Sequence, residues 1–156
     1  MNPSRRNVIK AVAGIPFILP SRIWAAQTPP SDRLGVGFIG MGIQSRGLLN
    51  SFLHEAVQVV AVCDVDTTRR EAARKRVDEH YAALPASGRP GCATYDDFRE
   101  LLARKDVDAV CIATPDHWHA IITLAALWAG KDVYCEKPLT HNIHEALEVM
   151  KAVDAN

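Results

Sequence analysis

The clearest chemical pattern in the sequence is a glycine-rich loop, "GFIGMGIQSRG", which joins an apolar segment to a helical one. Gly40 and Gly42 match the first two glycines of G-x-G-x-x-G, and Ser45 stands where the third would be. The first glycine permits a tight turn, and the second lets the backbone approach a pyrophosphate, which the N–H groups opening the next helix attract. The candidate phosphate-binding residues are Gly40, Met41, Gly42, Ile43 and Gln44.

An acidic residue follows the next apolar segment. Asp64 comes directly after "VVAVC", at the distance from the loop where a carboxylate can accept hydrogen bonds from both ribose hydroxyls. Simple turn glycines are the alternative, but the order of strand, loop, helix, strand and acid favours dinucleotide binding. A carboxylate would repel a 2′-phosphate, which favours NAD, while the nearby Arg69 and Arg70 leave NADP open.

Two histidines in "DHWH" raise the question of a metal site. His117 and His119 project differently at a helix start, and no third ligand is apparent, so the sequence predicts no metal. His119 either lines a site or is a core histidine with its hydrogen bonds satisfied.

These residues need elements that bring them together, and the chain alternates strands with helices. Apolar runs predict strands at 34–39, 57–63, 107–113 and 132–135, with a brief one in 92–95. Helices are predicted at 43–53, 67–84, 96–104 and 117–129, and a last one begins at Asn142 or Ile143. The alternation predicts an α/β fold with a doubly wound parallel sheet (Rossmann fold), ordered 3-2-1-4-5 and incomplete at its C-terminal edge.

Composition sets the size and excludes some partners. The chain has 156 residues, 48% of them apolar, which is enough for one domain with a real core. Its 18 basic and 18 acidic residues balance, so nothing indicates nucleic acid or an acidic membrane surface. The four cysteines form no C-x-x-C pair and mostly end apolar runs, so buried thiols are favoured over a disulfide.

The N-terminus has the pattern of an export signal. "SRRNVIK" resembles the twin-arginine signal, and the apolar run from Ala11 to Pro20 is far shorter than the roughly 20 residues of a membrane span. A disordered basic terminus is the alternative. We expect a signal peptide at 1–26, a linker at 27–33 and a Rossmann domain at 34–156. We also expect a protein that is periplasmic or otherwise exported, without a stable membrane anchor.

The later motifs carry a family resemblance. "ATP" at 113–115, His119, "AGK" at 129–131 and "EKP" at 136–138, together with the glycine loop, resemble the Gfo/Idh/MocA oxidoreductases, the family of glucose–fructose oxidoreductase and inositol dehydrogenase. The resemblance covers about 33–156. It implies an NAD(P)-binding Rossmann domain followed by a substrate domain, which would lie beyond this chain.

The resemblance also implies roles for single residues. Lys137 would handle a proton beside the nicotinamide and His119 would face the site, as the two catalytic candidates. The resemblance adds Thr114, Pro115 and Glu136 to the cofactor-binding candidates.

The expected activity is hydride transfer between a sugar, cyclitol or polyol and the nicotinamide, and a homo-oligomer is compatible with the full-length form. The alternatives are a redox-neutral NAD-dependent glycosidase, as some family members are, and a non-catalytic nucleotide-binding module.

Overall fold

The computed structural model describes residues 33–55, 57–84 and 91–156. The predicted signal peptide, nearly all of the linker and the loop at 85–90 lie outside the described residues. The strands are β1 (Leu34–Ile39), β2 (Val57–Cys63), β3 (Ala93–Tyr95), β4 (Ala109–Ile112) and β5 (Asp132–Cys135). The α-helices are α1 (Ile43–Leu53), α2 (Thr67–Ala82), α3 (Phe98–Leu102), α4 (His119–Trp128) and α5 (Ile143–Asp154).

The strands form one parallel sheet in the order β3-β2-β1-β4-β5, as the sequence predicts. In register, Ile39 at the end of β1 pairs with Cys63 of β2 and with Ile112 of β4. The three strands therefore end at the same level. Because ligands of such sheets bind outside the carboxyl ends of the strands, this level is where a site is expected.

Each face of the sheet is covered by helices. One apolar cluster joins Phe38 of β1 to Leu49 of α1 and Val77 of α2, and all three are fully buried. The cluster on the other face joins Ile39 to Leu101 of α3 and Ile122 of α4. Burial on both faces explains why the central strands read as nearly continuous apolar runs.

The cysteines are free thiols, as the sequence predicts. Burial raises the pKa of Cys63, Cys92 and Cys111 to about 12. Cys135, at the end of β5, is half-buried. None of the described helices has the length and apolar character needed to cross a membrane.

Helix ends follow their capping residues. The Asp97 side chain accepts the N–H of Arg99, so α3 begins at Phe98 and not at residue 96. Asn142 caps α5 by accepting the N–H of Glu145, which confirms the predicted start. Gly130 takes a positive φ of 68° after α4, the conformation that favours glycine at a helix end.

The burial of α5 differs from the sequence pattern. The spacing predicts one apolar face of Ile143, Ala146, Leu147 and Met150, but Ile143 is 80% exposed and Met150 is 61% exposed. The helix lies against α4 and buries Val149 and Ala152 instead. Periodicity locates a face on a helix, but the neighbouring elements decide which stripe is covered.

Candidate functional site

Gly40 turns the chain at the centre of the carboxyl edge. Its φ of +87° is left-handed, and a Cβ there would lie 2.8 Å from the backbone nitrogen of Thr114 and 2.9 Å from the carbonyl of Ala113. Its own N–H donates to the carbonyl of Cys63 at 2.8 Å. Only glycine fits this turn, which is held between the ends of β2 and β4.

The N-terminus of α1 is open to an anion. Gly42 is its N-cap, no side chain caps the first turn, and no acidic residue lies within that turn. A Cβ on Gly42 would meet nothing within 4 Å, so the backbone faces free space. Free N–H groups and the positive end of the helix dipole suit a pyrophosphate there.

Ser45 fills the position of the missing third glycine without opening the structure. It is completely buried, and its hydroxyl lies 3.6 Å from the sulfur of Met41. The first turn of α1 thus accommodates a fully buried serine in place of the glycine.

Asp64 faces the glycine loop from the end of β2. Its Oδ2 accepts the N–H of Met41 at 2.6 Å, and its Oδ1 accepts the N–H of Asp66 at 2.8 Å. The Arg70 guanidinium donates to the Asp64 carbonyl at 2.7 Å, whereas Arg69 pairs with Asp66 at 3.5 Å. The carboxylate keeps free lone pairs on both oxygens, so it can still accept from ribose hydroxyls.

A cavity of about 810 Å³ opens along this edge. Gly40, Gly42, Ile43, Gln44, Asp64, Thr114 and Pro115 all line it, so seven of the predicted cofactor residues share one space. The other side of the cavity is formed by residues that are not among the predicted cofactor residues, namely Val65, Phe98, Arg99 and Trp118. Their signal was available, because Val65 follows β2 and Phe98 follows β3, whose ends meet at this edge.

The cavity holds an unsatisfied polar atom. The Thr114 hydroxyl is buried and has no hydrogen-bond partner among the described residues. A buried hydroxyl without a partner is costly, and a ligand that bonds to it would remove the cost. Together with the glycine cradle, the open helix terminus and Asp64, this orphaned hydroxyl fits a bound dinucleotide.

Glu136 and Lys137 follow β5, next to the phosphate loop. The Glu136 carboxylate accepts the Tyr134 hydroxyl at 3.3 Å and the Gln44 amide at 3.5 Å. Lys137 is exposed, and its peptide bond to Pro138 is cis. The structure thus connects the glutamate to the glycine loop and leaves the lysine side chain accessible.

His119 lies beneath this loop and not on the surface. Only 2% of the residue is exposed. Its Nδ1 lies 2.7 Å from the Pro138 carbonyl, and its Nε2 lies 2.9 Å from the Thr114 carbonyl. The histidine therefore connects the loop after β4 to the loop after β5.

The neighbouring histidines make no metal centre. His117 is exposed beside Asp116, in a 3-10 turn (Asp116–Trp118) that precedes α4. His141 approaches the other side of Asp116 at 3.2 Å, and its hydrogen bond holds the pKa of that carboxyl below the usual range. Within the described ranges, no group of three or more metal-ligating side chains could hold an ion.

The fold and the site together define a Rossmann-type dinucleotide-binding domain. The profile of an oxidoreductase family with an NAD-binding Rossmann fold (Gfo/Idh/MocA) matches residues 34–156. The chain belongs to the Gfo/Idh/MocA family, as its motifs predict, and it is an NAD(P)-binding domain.

Three similar proteins illustrate the range of the relatives. Glycosyl hydrolase family 109 protein 2 from Shewanella sp. (strain ANA-3) is 32% identical over 146 residues, which cover 93% of this chain and 31% of that protein. Scyllo-inositol dehydrogenase from Lactobacillus casei, solved with NAD(H) and scyllo-inositol, has a TM-score of 0.67 at 21% identity, covering 79% of this chain and 33% of that one.

The third is KijD10, a 3-ketoreductase from Actinomadura kijaniata solved with NADP and TDP-benzene. It has a TM-score of 0.67 at 27% identity, and the match covers 79% of this chain and 34% of that one. The chain therefore spans about a third of the length of the relatives it matches.

Proposed function

We propose that the protein containing this chain is an NAD-dependent glycosidase whose overall reaction is redox-neutral. The observation that carries the proposal is the 32% identity to a glycosyl hydrolase family 109 protein across 93% of the chain. The motifs alone favour a net dehydrogenase over a glycosidase, and this identity reverses that preference.

The chain's residues have distinct tasks in this proposal. The N-terminus of α1 and Gly42 hold the pyrophosphate, Asp64 holds a ribose, and the Thr114 hydroxyl bonds to the cofactor within the cavity. Bound NAD would supply a reversible hydride acceptor for a sugar carbon.

Lys137 accepts and later returns a proton in this scheme. It takes the proton from the sugar hydroxyl at the carbon that is oxidised, and returns it when that carbon is reduced. Its position after a strand end of the parallel sheet and its exposed side chain support the role. The Glu136 carboxylate, held by Tyr134 and Gln44, lies beside it and orients the start of the loop.

A second candidate is a net oxidoreductase acting on a sugar, cyclitol or polyol. The 27% identity to a 3-ketoreductase solved with NADP supports it. Both candidates use the same cofactor site and the same lysine, and they differ in whether reduced cofactor accumulates.

One assay separates the two candidates. The full-length protein is incubated with NAD and two panels, aryl glycosides and free polyols, while aglycone release and NADH absorbance are followed together. The proposal expects aglycone release without net NADH. Net NADH from a free polyol, with no glycoside cleaved, would overturn the glycosidase proposal in favour of the oxidoreductase.

We also propose that the protein is exported in folded form, loaded with its cofactor. The order of Arg5, Arg6 and the following apolar run supports this, and these residues lie outside the described part of the structure. Its proposed partner is a small sugar or polyol substrate.

A further inference from the structure

We propose that His119 is a positioning residue that ties the loop carrying Lys137 to the end of β4. The inference rests on the proposed role of Lys137 and gives His119 a task different from direct contact with the substrate. The motifs suggest that this histidine faces the site, but burial to 2% exposure leaves no surface for a substrate to reach.

The two ring contacts join segments that are otherwise loosely connected. The last ladder bond between β4 and β5 runs from the Glu136 N–H to the Ile112 carbonyl, and the chain leaves the sheet after it. Lys137, Pro138 and Leu139 are exposed, and the Lys137 N–H has only a long contact of 3.4 Å with Glu136. The loop therefore needs an anchor.

Two polar contacts bring this loop to the segment after β4 in the described part of the chain. One is the exposed pair of His141 and Asp116, which water and salt weaken. The other is the contact of His119 Nδ1 with the Pro138 carbonyl at 2.7 Å, which is part-buried because the histidine is 2% exposed. Since the imidazole side of this contact is shielded from water, whereas both side chains of the His141–Asp116 pair are exposed, His119 is the stronger anchor.

The second ring nitrogen also faces a carbonyl, so it adds a second hydrogen bond when both ring nitrogens carry a proton. Nε2 lies 2.9 Å from the Thr114 carbonyl, at the cavity wall where the cofactor is expected. The imidazole thus sets the distance between the cofactor wall and the residue next to Lys137. An error of about 1 Å in such a distance can cost about 100-fold in rate, because hydride and proton transfer need close alignment.

Two substitutions separate the contacts. In His119→Asn, the side-chain amide nitrogen takes the place of Nδ1 and can still donate to Pro138. In His119→Gln, the amide nitrogen takes the place of Nε2 and can donate only to Thr114. His144→Asn is the matched control, since His144 is exposed at the start of α5.

The first readout is turnover of the full-length protein with its glycoside. We expect H119Q to lower kcat by about tenfold or more, and H119N to keep it within about threefold, with NADH affinity and KM nearly unchanged in both. H144N should match the wild type. Equal losses in H119N and H119Q, or a loss confined to NADH affinity, would overturn the anchor.

The second readout is independent of the proposed activity. Amide hydrogen exchange in residues 137–141 of this chain should accelerate in H119Q and stay near wild-type rates in H119N. If this pattern appears while no substrate is turned over, the anchor stands and the proposed function fails. If exchange is the same in both variants, the anchor fails whatever the activity.

The wild-type chain provides a test that does not depend on the variants folding. Nitrogen-15 NMR of the imidazole rings distinguishes a protonated from a bare ring nitrogen. The anchor requires a proton on Nδ1 of His119, because that nitrogen faces the Pro138 carbonyl. A bare Nδ1 would contradict the proposal.

Discussion

Asp64 connects cofactor recognition to the shape of the phosphate loop. Its carboxylate accepts backbone N–H groups from Met41 and Asp66, so it acts on the loop even before a ribose is bound. A substitution there alters two things, the loop geometry and the charge that a 2′-phosphate would meet. The two effects can be separated, because asparagine keeps one oxygen for the loop and removes the charge.

We expect Asp64→Asn to narrow the preference for NAD over NADP while it keeps a hydrogen bond to the glycine loop. Asp64→Ala should also lose the bond to Met41, and it should weaken NAD binding by about 1–3 kcal/mol. Calorimetric titration of both cofactors into the wild type and both variants measures this. Tighter binding of NADP than NAD to the wild type would contradict the expectation and make Arg69 a phosphate ligand.

The orphaned hydroxyl of Thr114 gives a second residue-scale prediction. Thr114→Val removes a buried group that has no partner, so the free energy of unfolding should stay within about 1 kcal/mol or rise. NAD affinity should fall about three- to tenfold, because the hydroxyl no longer bonds to the cofactor.

Thr123→Val is the matched control for that measurement. Thr123 is also buried, on α4, but it does not line the cavity, so NAD affinity should not change. Unaltered NAD binding by the T114V protein would show that the Thr114 hydroxyl does not bind the cofactor.

At the scale of the elements, the sequence predicts most of the sheet and the carboxyl edge where the glycine loop lies. Strands β1, β2 and β5 are predicted at their observed bounds. The buried strands β1 and β2 appear as apolar runs that a glycine or a charge ends, whereas β5 lies at the edge of the sheet and alternates exposed with half-buried residues. The glycine loop and Asp64 follow two of these strands, so sequence order alone brings them together.

What the sequence does not predict depends on contacts between distant segments. The covered stripe of α5, for example, depends on how that helix lies against α4. The burial of His119 likewise requires knowing that Pro138 lies across from Thr114.

Lys131 shows a motif residue with a structural task. Its ammonium donates to the carbonyls of Arg104 and Val107, both at 2.8 Å, and thereby closes the turn between α3 and β4. Lys131→Met should lower the free energy of unfolding by about 1.5–3 kcal/mol, the range for hydrogen bonds to a charged group. Urea denaturation of the variant measures the loss.

Lys151→Met is the control on α5. Its ammonium pairs with Glu148 on an exposed face, so the loss should stay below about 1 kcal/mol. A K131M protein as stable as K151M would contradict the structural task of Lys131.

At the scale of the whole molecule, the relatives extend well beyond the described domain. The match to the relatives covers about a third of their length. Lys137 lies on the exposed side of its loop, and the cavity described above is lined by the glycine loop and the ends of β2, β3 and β4. The substrate therefore needs a wall that the described residues do not form.

Export can be tested without changing charge. If Arg5 and Arg6 are read as a pair by a receptor, replacing both with lysine should retain the precursor in the cytoplasm. Cell fractionation of a tagged precursor measures this, with Lys10→Arg as a control that should be exported normally. Normal export of the double-lysine variant would contradict the twin-arginine proposal.

The last prediction joins the lysine to the rest of the protein. The 156-residue chain should bind NAD, since the cavity, the open helix terminus and Asp64 all belong to it, and should turn over no glycoside or polyol. Hydride transfer requires a substrate held within reach of the nicotinamide, and the exposed Lys137 alone cannot hold one. In the full-length protein, Lys137→Ala should lower turnover by about 10²- to 10⁴-fold, the range for a positioned acid–base group, with NAD affinity nearly unchanged.

Three measurements check this prediction: NAD titration by fluorescence, aglycone release and NADH absorbance. Lys151→Ala, on the outer face of α5, is the matched control and should behave as the wild type. Robust turnover by the 156-residue chain would show that no further wall is needed. An unaffected K137A enzyme would remove the lysine from the proton transfer, and would leave the anchoring of its loop by His119 without a catalytic purpose.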